Sequence, residues 1–179
     1  MSTAPMKLIP GARNNFGDVL SNGVTHKGLD MRAPDASGAV VSPEKGVVVA
    51  VWTNDLTAPF VGYGPGGMVI RGDSGVFHLL AHLDPVQIIE AGVKNGQRFD
   101  EGEQVGLISK GGPKGDGTPT KFWQGPHLHW EVRQPSSSTG PFGQNGAINP
   151  LSWLAGKVEG FGIEWWVWLL IGLALTRRR

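Results

Sequence analysis

The stretch "GPHLHWEVR", residues 125–133, decides how the chain is read. In an extended strand successive side chains point to opposite faces, so Leu128, Trp130 and Val132 share one face while His127, His129 and Glu131 share the other. The apolar face predicts packing on a core. On the other face, two neighbouring imidazoles repel if both are protonated and gain nothing if both are buried without partners, whereas a cation uses their neutral nitrogens directly. The stretch therefore predicts both a half-buried β-strand and half of a metal centre. Glu131 is expected as an ordinary surface side chain, with a hydrogen bond to His129 as the competing reading.

The rest of the chain repeats the β signal. Twenty-eight glycines and thirteen prolines punctuate short runs such as "GVVVAVW", "GGMVIRG" and "GEQVGLIS", the pattern of an antiparallel sheet with many turns. "PVQIIEAGV" after Asp84 is the one candidate for a short helix before the tail. With 179 residues and 40% apolar content, the composition suits one compact domain. The predicted fold is mostly β, a single antiparallel β-sheet or β-roll domain over residues 1–150. The loop "GGPKGDGTPTKFWQG" (111–125), carrying Phe122 and Trp123, enters the histidine strand and is placed to shape a substrate groove.

Composition also excludes partners and chemistries. Sixteen basic residues against fifteen acidic ones provide no global field for nucleic acid, and the absence of cysteine removes disulfides, thiolate zinc clusters and cysteine nucleophiles. A transition metal must then sit on histidine and carboxylate. The first residues carry no secretory-type apolar segment. The end differs: "GFGIEWWVWLLIGLALTRRR" is apolar from Gly160 to Leu175 except for Glu164 and stops at three arginines. Residues 151–160 are expected as a linker and 161–179 as an apolar helix anchoring the chain in membrane lipid, with Trp165, Trp166 and Trp168 at one interface and Arg177, Arg178 and Arg179 at the other. The arginines favour an inside C-terminus and an outside domain. Delivery by assembly into a bacteriophage particle with a virion membrane fits that orientation without an export signal.

Two further segments hold the remaining histidines. In "THKGLDMRAP", His26 and Asp30 stand four apart across Gly28. Zinc takes imidazole nitrogen and carboxylate oxygen, and a catalytic zinc keeps three protein ligands with a fourth position open. His26, Asp30 and one of His127 and His129 would make such a set. In "VFHLLAHLD", alternation predicts His78, Leu80 and His82 on one face, and only one of the two histidines need reach the same centre.

Taken in order, "HKGLD", "AHLD" and "GPHLHWEV", with "GQRFDEGEQVGLIS" between the second and third, resemble the lysostaphin-like zinc endopeptidases of bacterial cell walls over roughly residues 11–133. The resemblance implies a small antiparallel β fold with a groove, one zinc ion and hydrolysis of peptide bonds in peptidoglycan. Carried over position by position, it makes His26, Asp30 and His129 the metal ligands and His82 and His127 the catalytic pair. Leu80 stands where that family usually has a tyrosine, two residues before the histidine matching His82. Competing classes are a wall-binding domain that holds zinc without cutting and a structural membrane protein of a virion. A biotinyl- or lipoyl-type carrier lacks its displayed lysine. Oligomeric state has no sequence signature.

Overall fold

A computed structural model of the chain describes residues 5, 15–20, 23–31, 38–54, 63–109, 126–135 and 146–159. Nine strands and two helices occur among them: β1 (Leu29–Met31), β2 (Ala39–Val41), β3 (Gly46–Trp52), β4 (Gly67–Gly72), β5 (Phe77–Ala81), α1 (Pro85–Glu90), β6 (Arg98–Phe99), β7 (Gln104–Leu107), β8 (Leu128–Arg133), β9 (Ala147–Ile148) and α2 (Pro150–Glu159). The β-rich expectation holds, and every pairing between these strands is antiparallel. Seven strands form one sheet in the order β1-β8-β5-β4-β3-β6, with β9 beside the end of β8, and β2 and β7 make a second, two-stranded sheet.

The period of two sorts the large sheet into two faces. On one face Leu29, Met31, Met68, Ile70, Leu80, Leu128, Trp130 and Val132 join Val40 and Val105 of the small sheet, Leu83 and Ile88 in one core cluster. Large side chains here, such as Trp130 and Leu80, are completely buried. Removing each from water contributes on the order of 1.5–3 kcal/mol. The opposite face carries a smaller cluster of Trp52, Val69, Leu79 and Ala81, with Tyr63 and Phe77 packed against it. All the site chemistry lies on this second face.

Local signals explain the helices. Asp84 caps α1, its side chain accepting from the backbone N–H groups of Val86 at 2.9 Å and Gln87 at 3.4 Å, with Pro85 opening the helix where a missing N–H costs nothing. The helix ends in a left-handed Gly92 (φ 63°). Helix α2 occupies the stretch expected as a linker. Its Trp153 is buried and meets the His78 ring edge-on at 4.6 Å and the Trp130 ring at 6.0 Å, which fixes the helix start against the core. Among the described residues no helix is long and apolar enough to cross a membrane. The expected anchor, 161–179, and the groove-shaping loop, 111–125, lie outside the described residues.

Candidate active site

Strand β8 supplies the centre of the site as its alternation predicts. Register then brings the other parts to it: Asp30 of β1 lies directly opposite His129 on one side and Ala81 of β5 on the other. His26, just before β1, completes a cluster in which one donor atom each of His26, Asp30 and His129 lies within 4.8 Å of the others. The contacts are closer than that bound. His26 Nε2 is 3.0 Å from His129 Nδ1 and 3.2 Å from Asp30 Oδ1, and His129 Nδ1 is 3.0 Å from the same oxygen.

The outward nitrogens of both rings are anchored. His26 Nδ1 is 3.1 Å from the Asn15 carbonyl, and His129 Nε2 is 2.9 Å from Glu131 Oε1. Each of those partners is an acceptor, so each outward nitrogen carries the proton, and the inward nitrogens of neutral rings present lone pairs. Two such lone pairs and a carboxylate oxygen then face one point. That arrangement is repulsive unless a positive charge sits there. The cluster attracts positive charge: burial alone would depress the His129 pKa, but hydrogen bonds to Asp30 and Glu131 raise it to about 9. Burial opposes ionisation of Asp30 too, yet the bonds from His129 and His26 hold its carboxyl well below the usual range. Two imidazole nitrogens and one carboxylate oxygen, oriented by their outer hydrogen bonds, fit a divalent cation of the zinc type.

Close backbone packing sets the ring position. A Cβ at Gly28 would lie 2.7 Å from His129 Cε1 and 2.7 Å from the Trp130 carbonyl oxygen, so the glycine of "HKGLD" is required for the approach of β1 to the ring.

His127 and His82 stand beside the cluster. Their ring centroids are 4.7 Å apart, His82 is 6.0 Å from the His129 ring, and His127 Nε2 is 3.8 Å from Asp30 Oδ1. All five residues singled out from the sequence are thus brought together. His82 arrives by an unexpected route. Alternation along β5 sends His78 and Leu80 into the core and would send His82 after them. Instead the strand ends at Ala81, and His82 adopts a left-handed conformation (φ 66°), the only non-glycine to do so among the described residues. The expectation of a shared face for His78, Leu80 and His82 is corrected accordingly. Three backbone bonds hold the turn: His82 N–H donates to the Tyr63 carbonyl at 3.3 Å, Leu83 N–H to Gly66 at 2.9 Å, and Ser109 N–H to the His82 carbonyl at 2.8 Å. Burial first, then the neighbouring His127 and His129, push the His82 pKa well below the ordinary value.

His78 plays a different part. It is fully buried in the core, where its Nδ1 accepts from Trp130 Nε1 at 3.3 Å and its Nε2 lies 2.9 Å from Glu44 Oε1. Leu80 likewise faces the core.

Glu131 corrects the sequence reading. It is 1% exposed, not a surface residue, and its carboxylate accepts from His129, from Tyr63 Oη at 2.6 Å and from the Arg133 guanidinium. Burial would raise its pKa, but the bonds from His129 and Arg133 lower it to about 2. Tyr63 and Arg133 were not anticipated. Arg133 was accessible from the sequence, because the alternation that groups His129 with Glu131 extends two residues further to it. Tyr63 had no comparable signal beyond being the chain's only tyrosine.

Comparison with known proteins bears on the fold and on the family. The chain is similar in fold to the solution structure of lysostaphin (TM-score 0.52, 19% identity, covering 87% of this chain and 50% of that one). It is also similar to LytU (TM-score 0.56, 23% identity, 84% and 89%) and to Csd3 of Helicobacter pylori (TM-score 0.54, 20% identity, 86% and 33%). The chain thus spans half or less of lysostaphin and Csd3 but most of LytU. No curated protein sequence matches it. The model of peptidase family M23 matches residues 24–150, which contain all five histidines and Asp30, and the chain belongs to that family.

Proposed function

We propose that the chain is a zinc-dependent endopeptidase that hydrolyses peptide bonds of bacterial cell-wall peptidoglycan. The observation that carries this reading is the convergence of three oriented acceptor atoms, from His26, Asp30 and His129, beside a second pair of imidazoles. Membership of a peptidase family supports the reaction class. The resemblance to lysostaphin-like enzymes supports the substrate class.

In this mechanism His26, Asp30 and His129 would hold the ion. When bound, zinc supplies Lewis acidity, polarising a carbonyl and strengthening water as an acid. One of His82 and His127 accepts a proton from water at the start of the reaction and one returns it to the leaving amine. Of this pair, His127 has its Nε2 3.8 Å from Asp30 Oδ1. The two rings, 4.7 Å apart, are close enough to serve one scissile bond. A domain that only binds wall would have no use for this pair.

The same reading assigns the apolar run Gly160–Leu175 as a membrane anchor, with the catalytic domain in 1–150. Sixteen residues make about 24 Å of helix, short of a hydrocarbon core of about 30 Å, so the flanking tryptophans and arginines must help it span. Flotation on liposomes tests this part separately: the full chain should float and residues 1–157 should not.

The enzyme reading is tested by digesting peptidoglycans of different cross-link chemistry with the zinc-loaded chain and identifying new termini by mass spectrometry. New peptide amino termini are expected, and their release should stop when a chelator removes the metal. Release of no peptide termini from any wall would refute the reading.

A further inference from the structure

The Tyr63 hydroxyl sits in a closed hydrogen-bond network one step away from the metal-ligand cluster. Arg133 Nη2 donates to Tyr63 Oη at 3.3 Å. Having accepted that bond, the hydroxyl points its own proton at Glu131 Oε1, 2.6 Å away. The same Oε1 accepts from His129 Nε2 at 2.9 Å, while the other oxygen is held by the Arg133 guanidinium. Arg133 balances the charge of Glu131, so the carboxylate serves as an orienting acceptor for the His129 N–H and has no need to take its proton. The ring of Tyr63 also lies against the His129 ring, with centroids 5.5 Å apart and planes at 34°. On its backbone, the Tyr63 carbonyl receives the N–H of His82, the residue held in the left-handed turn.

We propose that Tyr63 is a positioning residue of this site: its hydroxyl, acting through Glu131, fixes the tautomer and orientation in which His129 presents Nδ1 to the metal, while its carbonyl holds the turn that delivers His82. The inference rests on the zinc-peptidase reading above. Its physical basis is that a carboxylate with two donors on one oxygen has little freedom to rotate. Remove the tyrosine hydroxyl and Glu131 can swing toward Arg133, releasing the His129 N–H and with it the ring. Loss of such an outer hydrogen bond typically costs about 10–100-fold in metal affinity. Tyr63→Phe isolates the effect, because phenylalanine keeps the ring contacts with His129 and with Trp52, whose centroid is 6.4 Å away.

The test uses the full chain, wild type and Tyr63→Phe. Zinc affinity is measured by competition with a chromogenic chelator, and the cobalt(II)-substituted proteins are compared by their visible spectra, which report ligand geometry independently of activity. Tyr63→Phe should bind zinc at least about tenfold more weakly and show altered cobalt bands. A second measurement needs no variant. Because the chain has a single tyrosine, a ¹³Cζ label gives one assigned resonance, and it should shift when the wild type is titrated with zinc. Zinc affinity within about twofold of wild type and an unchanged cobalt spectrum in Tyr63→Phe would overturn the proposal, as would a ¹³Cζ resonance unmoved by zinc. A wild-type chain that binds no zinc would refute the metal reading itself, before any variant is compared.

Discussion

Strands β8 and β5 lie side by side and each delivers histidine to the site, but by opposite means. In β8 the alternation is unbroken from Leu128 to Arg133: three apolar side chains fill the core while His129, Glu131 and Arg133 line the other face. In β5 the alternation sends its histidine the wrong way. His78 goes into the core, and His82 reaches the site only because the chain leaves the strand in a left-handed turn. For a residue with a Cβ that conformation costs roughly 1–2 kcal/mol, met here by the three backbone bonds at the turn. Of the proposed metal set, Asp30 and His129 thus sit in regular strands, whereas His82 of the proposed proton-handling pair is held by local strain.

The difference can be sharpened by substitution. The largest effect is expected at the end of β5 and on turnover alone: His82→Ala should retain zinc yet lose about 10²-fold or more in rate of peptide release, the scale of general acid–base catalysis. Loss of zinc in that variant would move His82 into the metal's own ligand set and erase the division between the strands.

A smaller effect is expected where β1 meets β8. Gly28→Ala places a Cβ at 2.7 Å from both the His129 ring and the Trp130 carbonyl, and relief requires β1 or the ring to move. Such overpacking costs about 1–3 kcal/mol, and zinc affinity should fall with it. Normal stability in urea together with normal zinc binding would mean that the two strands do not need the close approach seen here.

The smallest effect has the opposite sign. His82→Gly should be as inactive as His82→Ala but more stable than it by about 0.5–1 kcal/mol, since glycine occupies the left-handed region without penalty. Equal urea midpoints for the two variants would remove strain from the account of β5.

The sequence was most legible where one physical rule acts alone. "HLHWEV" has a single period, and the structure sends Leu128, Trp130 and Val132 into the core with His129 and Glu131 on the opposite face, as that period predicts. Three things escaped for identifiable reasons. The turn at His82 depends on bonds from Tyr63, Gly66 and Ser109, which are distant in sequence and carry no periodic signal. Glu131 read as a surface residue because burial of a carboxylate is favourable only with donors, and one of those donors, Tyr63, is 68 residues away. Residues 151–160 read as a linker because the short polar and apolar mix gives no strong stripe. It is Trp153 on His78 and Trp130, a tertiary contact, that fixes the helix against the sheet.

The central claim is that His129 on the regular strand is a metal ligand while His82 on the strained turn is not. The direct measurement is zinc content after dialysis of the wild-type chain, His129→Ala and His82→Ala, with each variant's fold checked by thermal melting in the presence of zinc. The account predicts one zinc per chain in the wild type and in His82→Ala, and none in a folded His129→Ala. A folded His129→Ala that keeps stoichiometric zinc would contradict it.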